Sequence, residues 1–340
     1  MSAETIAVIT TVLNERDSIC VLLDAFLAQT RQPDEIVVVD GGSTDGTVDL
    51  LKTYAQAHPI LKLHVEPGVN IARGRNIAIH RSNCSIVAVT DGGCRPEPNW
   101  LEELVNPLLV NSDYDAVTGE RRIIGANRFE EFAGLLSTSV NPATESERMF
   151  HGRNSAFRKM VWTRVGGYPE WLYTAEDTLF SLRAKALGCR VALAEKAVVS
   201  WRPRPNLRKL CKQYYLYGRG TGRIGSADIR TITYHLRNHA LWILPLLLTP
   251  VYPWFFLVAA GILAFIFFTL VKPVLVSVRL RTKTSGSSLY VPIIVMIRSL
   301  ANNVGQLLGD RDYRLTEPFR VNLNLYLSGK WQMSPDKFDL

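Results

Sequence analysis

From Leu241 to Val271 the chain runs 31 residues without a charged side chain. One helix needs ~20 residues to cross the hydrocarbon core of a bilayer. A stretch this apolar on every face is unusual in a soluble protein, where it would be a buried helix pair, so it reads as a transmembrane segment. Pro245, Pro250 and Pro253 interrupt its first half, whereas Trp254 to Val271 is unbroken. That pattern predicts a helical hairpin turning near Thr249–Pro253, with a single tilted span as the competing form. Arg230 and Arg237 precede the run, and Lys272, Arg279, Arg281 and Lys283 follow it. Bases at both ends put both ends on the cytosolic side by the positive-inside rule. A further apolar stretch, Leu289 to Leu308, carries Arg298 and Asn302-Asn303 in its middle. It reads as an interfacial or amphipathic helix.

The membrane segment divides the chain. Residues 1–225 form a candidate catalytic domain, 226–240 a basic juxtamembrane linker, 241–271 the hairpin, and 272–340 a cytosolic-side amphipathic helix and tail. Of the 340 residues, 39 are Lys or Arg and 31 Asp or Glu, a formal charge of +8 that favours an anionic partner. Nine of the bases lie between Trp201 and Ala240, beside the membrane segment, which argues against nucleic acid. Five cysteines, an odd number with no Cys-x-x-Cys pair, argue against a disulfide framework or structural zinc site and fit a reducing compartment. Met1-Ser2-Ala3-Glu4 carries an acid where a signal peptide carries bases, so the apolar run behind it is expected to be a first strand in the cytosol.

Short continuous apolar runs recur at Ile6–Val12, Glu35–Val39, Leu61–Val65, Ser85–Val89 and Ala116–Thr118. Buried parallel strands have this pattern, and helical spacing between them (Ile19, Leu22, Leu23, Phe26, Leu27) makes βαβ units. The fold class is α/β, an open sheet flanked by helices and followed by membrane-associated helices. Ligands bind such sheets beyond the carboxyl ends of the strands. Two aspartates end different strands there, Asp40 before a Gly-Gly-Ser-Thr-Asp-Gly-Thr turn and Asp91 before Gly92-Gly93-Cys94. Acids so placed accept hydrogen bonds from a base or ribose, or hold a divalent cation that binds phosphates. Each also has an ordinary alternative, a tight turn with Asp45 capping the next helix.

Over residues 5–225 the sequence resembles the family 2 glycosyltransferases of the GT-A (Rossmann-like) fold, with a mostly parallel sheet. The likeness rests on Asn14-Glu15, Val37 to Thr47, Arg75-Asn76, Thr90-Asp91-Gly92-Gly93, His151 to Arg158, Gly166-Gly167-Tyr168 and Glu176-Asp177. It implies that Thr11, Glu15 and Asp40 contact the base and ribose of a nucleotide sugar, with Arg75 helping and Arg73 a rival. It implies that Gly152 and Asn154 wall the donor sugar. In the family's Asp-x-Asp motif the second carboxylate binds the cation; here that position is Gly93, which leaves Asp91 to hold Mg²⁺ or Mn²⁺ with the phosphates.

The resemblance also implies that Asp177 is the general base for an inverting, hexosyl-type transfer, with Glu176 its neighbour. The ordinary alternative is a capping box, Thr174-x-x-Asp177. The Gln-x-x-Arg-Trp motif of processive members is replaced by Gln213-Tyr214-Tyr215-Leu216-Tyr217, which implies transfer of one sugar per acceptor. The expected partners are a nucleotide-diphosphate sugar, a lipid-linked or glycan acceptor and the membrane, at its cytosolic face. A catalytically inactive nucleotide-sugar-binding membrane protein is the alternative.

Overall fold

Strands buried on both faces need cover on both faces, and the chain alternates strand and helix to supply it. A computed structural model of the chain describes residues 4–138 and 144–333. The elements are β1 (Ile6–Val12), α1 (Ile19–Leu27), β2 (Glu35–Asp40), α2 (Thr47–Ala57), β3 (Leu61–Val65), α3 (Ile71–Arg81) and β4 (Ile86–Val89). There follow β5 (Cys94–Pro96), α4 (Trp100–Val110), β6 (Ala116–Ile123), α5 (Arg128–Ser137), β7 (Ser155–Arg158), α6 (Lys159–Val165), α7 (Glu176–Ala186) and β8 (Val191–Trp201). The rest is helical: α8 (Leu207–Arg223), α9 (Ile229–Leu248), α10 (Phe255–Ile266), α11 (Lys272–Arg281), α12 (Ser287–Leu315) and α13 (Glu317–Ser328). Two units result, one from Met1–Arg122, Val140–Trp201 and Val321–Leu340, the other from Ile123–Ser139 and Arg202–Arg320.

The first unit is built on one sheet in the order β3-β2-β1-β4-β7-β6-β8-β5. β3, β2, β1 and β4 pair parallel, as their continuous apolar runs predict. Past β4 the sheet turns mixed, with β7 antiparallel to both β4 and β6, and β5 antiparallel to β8. Ile6, Val8, Ile36, Val38, Val87 and Val89 are buried in the centre. On α1 the buried residues Ile19, Leu22, Leu23 and Phe26 form one helical stripe. α3 lies close on β1 and β2 because Gly74 has no side chain; a Cβ there would stand 2.8 Å from Thr11 Cγ2.

Residues 321–333 also belong to this unit. The Tyr326 hydroxyl donates to the Gly167 carbonyl at 2.7 Å, its ring lies under the Arg183 guanidinium, and Trp171 and Trp331 pack edge-on against it. Nothing in the sequence marks this return of the chain to the first unit.

The second unit centres on α8 and α12. Gly218 and Gly222 on α8 meet Gly305 and Gly309 on α12, four glycines that let two backbones touch. A Cβ on Gly218 would lie 2.1 Å from the Asn302 carbonyl oxygen, and one on Gly309 would lie 2.2 Å from that of Arg219. Asp312 fixes the register by accepting from Arg219 Nε and Arg223 Nε, both at 2.8 Å. α9 ends at Leu248 and α10 begins at Phe255, so the apolar run bends where Pro250 and Pro253 lie. Past Val271 the helix does not stop; a π turn (Phe267–Val271) leads into α11 and carries it to Arg281. By length and composition two helices could cross a membrane, Phe255–Arg281 and Ser287–Leu315. Phe256, Leu257, Phe265 and Phe268 are exposed on the first.

The contact at the glycines predicts a steric test. Gly309→Ala should destabilise by about 1–3 kcal/mol, because its Cβ meets rigid backbone. Gly261→Ala should not, since no atom lies within 4 Å of a Cβ there. Thermal unfolding in detergent compares the two.

Candidate active site

The carboxyl ends of β1, β2 and β4 are adjacent, with Val12 paired to Asp40 and Ile9 to Val89. Chain leaving β1 must turn sharply, and Asn14 does so with φ of 56°. That left-handed conformation is held by its neighbours. Asn14 N donates to Ser43 Oγ at 2.8 Å, Thr44 N to Asn14 Oδ1 at 2.9 Å, and Glu15 N to Thr47 Oγ1 at 3.0 Å. The β1 turn and the β2–α2 turn are therefore one hydrogen-bonded structure. Asp40, fully buried, accepts from Gly42 N and Ser43 N through Oδ1 and from the Ser43 hydroxyl through Oδ2. Most of its acceptor capacity serves its own turn. Asp45 binds Thr47 N at 3.0 Å, while Gly46, at φ of 95°, occupies the cap position of α2.

Arg75 joins the strand ends to α7. Its side chain is 3% exposed, with Nη1 2.9 Å from Glu176 Oε1 and Nη2 3.0 Å from Asp91 Oδ1. A Cβ on Gly152 would fall 2.0 Å from Arg75 Nη2, so a glycine is required for the guanidinium to pass. Arg73, the rival by sequence, points elsewhere and pairs with Glu170 at 2.8 Å. Asn76 is a packing hub: its amide group donates to the Tyr168 carbonyl and to Glu170, and its oxygen accepts from Trp162 Nε1 and Tyr168 N. Asn154 is spent the same way, donating to the Glu120 and Ala197 carbonyls and accepting from Trp100 Nε1. Its side chain ties β6, β8 and α4 together beside the site.

Asp177 stands at the start of α7. Ala175, with φ of 67°, rather than Thr174, occupies the N-cap position of the helix. Asp177 Oδ2 accepts from Gly152 N at 3.3 Å and lies 3.8 Å from His151 Nδ1. Its side chain is 28% exposed, whereas that of Glu176 is 8% exposed. Burial, reinforced by the charge of Asp177 and opposed by Arg75, pushes Glu176 up to about 7. Burial also acts to raise Asp177, but His151, Arg75 and two backbone N–H groups outweigh it and hold the carboxyl below its ordinary range. Burial lowers His151, against the pull of Asp177.

His151 and Arg153 belong to the His151 to Arg158 motif, but the sequence assigns neither a role at the site. Arg153 Nε lies 3.4 Å from Asp91 Oδ2, and its guanidinium stacks 4.4 Å from the Trp201 ring centroid. Among the described residues no three His, Cys, Asp or Glu side chains gather as a metal cluster. A lone Asp91 suits Mg²⁺ or Mn²⁺, which bind through one or two carboxylates plus substrate phosphates. Room for such a group exists: a Cβ on Gly93 would have one neighbour within 4 Å, Glu15 Oε2 at 3.8 Å.

This geometry agrees with comparisons to known proteins. Residues 7–167 match the profile described as Glycosyl transferase family 2. Glycosyltransferase AglE of Haloferax volcanii is 27% identical over 245 residues, spanning 70% of this chain and 80% of that protein. Succinoglycan biosynthesis protein ExoA of Rhizobium meliloti is 26% identical over 227 residues, 62% of this chain and 67% of that one. A mannosyltransferase, PcManGT of Pyrobaculum calidifontis, solved with GDP-Man and Mn²⁺, superposes with a TM-score of 0.54 at 21% identity, covering 89% of this chain and 88% of that one. The profile match over residues 7–167, the relatives named glycosyltransferases and the shared fold support a hexosyl-transferring enzyme that carries a family 2 glycosyltransferase domain in a GT-A fold.

Proposed function

We propose that the protein is an inverting glycosyltransferase that moves one sugar from a nucleotide-diphosphate donor to a lipid-linked acceptor at the cytosolic face of a membrane. The observation that carries this is Arg75, which joins Asp91, on the donor side, to the acid pair that opens α7. Thr11 and the remaining lone pair of Asp40 meet the nucleoside. Arg75 and Arg153 face the diphosphate, and the Gly152 backbone borders the sugar. A Mg²⁺ or Mn²⁺ held by Asp91 would supply charge to stabilise the leaving diphosphate. Asp177, ionised and partly exposed, takes the proton from an acceptor hydroxyl. The freed oxygen bonds the anomeric carbon as the bond to the phosphate oxygen breaks on the opposite side, and the nucleoside diphosphate departs with that electron pair. Glu176, bonded to Arg75, positions the guanidinium.

The lipid part of the acceptor has support in the second unit. An apolar groove of about 670 Å³ runs between α8 and α12, lined by Leu207, Tyr215, Ile297 and Val304. Arg208 and Lys212 stand on its wall. An acyl or prenyl chain with a phosphate head matches both features.

The sidedness of this reading is carried by the flanking bases. The far end of the apolar helix binds α5, with the Thr282 hydroxyl donating to Glu131 at 2.8 Å and Arg281 to the Leu135 carbonyl at 3.0 Å. In this reading the run through Leu241–Val271 enters and leaves from one face, with Thr249–Trp254 as its tip. The bases at both ends make that face cytosolic.

Four measurements check the proposal. UDP or GDP at ~100 times its dissociation constant should stabilise the protein by ~2.7 kcal/mol in thermal melts. Asp177→Asn should keep that shift and lose ~10²–10⁴-fold in transfer rate, as for a lost general base. Parental transfer should fall as pH drops through about 7, where Glu176 takes up its proton and releases Arg75, and Glu176→Gln should abolish that acid limb. An active Asp177→Asn would remove Asp177 as the base. Finally, green fluorescent protein fused after Lys283 should fluoresce and alkaline phosphatase at that point should be inactive; the reverse pattern would contradict the hairpin.

A further inference from the structure

We infer that Glu15 supplies the second carboxylate of the donor cation site, in place of the one that Gly93 lacks. The inference rests on the donor-site reading above and deepens it. Glycines at 92 and 93 clear a space beside the end of β4, and the Glu15 side chain lies in it. A Cβ on Gly92 would stand 3.1 Å from Glu15 Cγ, so a larger residue there would collide with Glu15. A Cβ on Gly93 would see only Glu15 Oε2, at 3.8 Å. An aspartate reaches its carboxylate oxygens within a few ångströms of its Cβ. The oxygen of Glu15 thus borders the volume that an aspartate at 93 would use.

The backbone that delivers Glu15 is itself specialised. Asn14 is one of two non-glycine residues with positive φ among those described, the other being Ala175 ahead of the Glu176-Asp177 pair. Both strained positions directly precede an acid at this site, and such strain persists where the surroundings over-determine it. Here the over-determination is the set of bonds from Ser43, Thr44 and Thr47 to Asn14 and Glu15. The charge balance points the same way. Asp91 faces two guanidiniums, those of Arg75 and Arg153, so a single carboxylate leaves little negative charge to attract a dication before the diphosphate arrives. Glu15 adds that charge without a guanidinium partner in any hydrogen bond or ion pair shown by the structure. Its recorded side-chain partner is the Ser18 hydroxyl at the start of α1, which donates to Oε2 and leaves Oε1 for a ligand.

The ordinary role for Glu15 is that bond to Ser18 alone, and Glu15→Gln separates the two, since Gln still accepts from Ser18 but brings no charge. Mn²⁺ binding is read by electron paramagnetic resonance with UDP and with GDP, and melting in EDTA reports nucleotide binding and folding. Glu15→Gln should weaken Mn²⁺ binding by about tenfold or more in the presence of nucleoside diphosphate, as loss of a charged ligand does, while melting of the nucleotide-free protein in EDTA, which reports folding alone, stays parental. Adding Gly93→Asp to Glu15→Gln should restore Mn²⁺ affinity, because Gly93 has no positive φ and its Cβ position is open. Parental Mn²⁺ affinity in Glu15→Gln, with Asp91→Asn impaired, would overturn the role of Glu15 and spare that of Asp91. No Mn²⁺ uptake by the parent protein with either nucleotide would overturn both.

Discussion

The active site depends on one buried guanidinium. Arg75 is shut off from water between Asp91 at the end of β4 and Glu176 at the start of α7, and its own protonation is driven further up by those two acids. A charge without water needs partners with good geometry. The planar fork of arginine serves two carboxylates at once, which the single ammonium of lysine does not. The glycine at 152 follows from this, because any side chain there would displace the guanidinium. So does the proton affinity of Glu176, set by burial and the neighbouring Asp177 against the opposing Arg75. Asp91 at the end of β4 and Glu176 at the start of α7 are thus held by the same residue.

The parallel half of the sheet and its strand-end acids were legible in the sequence because they are local. Runs such as Ile6–Val12 and Glu35–Val39 carry their burial in their composition, and the glycine-rich turn after Asp40 is written in consecutive residues. The antiparallel half was harder. β8 (Val191–Trp201) contains Glu195 and Lys196, exposed residues that break its apolar run, and β5 is three residues long. Asn154 and Arg75 sit in motifs of equal apparent weight, yet one side chain is consumed by Trp100 and two carbonyls while the other joins the acids. No local pattern separates them, because the deciding partners lie 43 and 54 positions away for Asn154 and 101 for Arg75. The return of residues 321–333 to the first unit is likewise a long-range event.

In the helical unit, composition revealed the apolar run but not what organises it. Gly218, Gly222, Gly305 and Gly309 are unremarkable singly, and their meaning comes from α8 facing α12. Arg298 and Asn303, which spoke for an interfacial helix, are both satisfied within this unit, Arg298 by the Leu136 carbonyl and the Tyr214 ring, Asn303 by the Ser299 carbonyl. Polar groups so provided for are compatible with an apolar surrounding.

The pH–rate profile of Arg75→Lys tests the central claim most directly. A lysine cannot hold Asp91 and Glu176 together, so the influence that opposes the rise of Glu176 weakens, while burial and the charge of Asp177 remain. The acid limb of transfer should then move to higher pH than in the parent, with a lower plateau. An Arg75→Lys enzyme with the parental plateau and an unmoved acid limb would contradict the account.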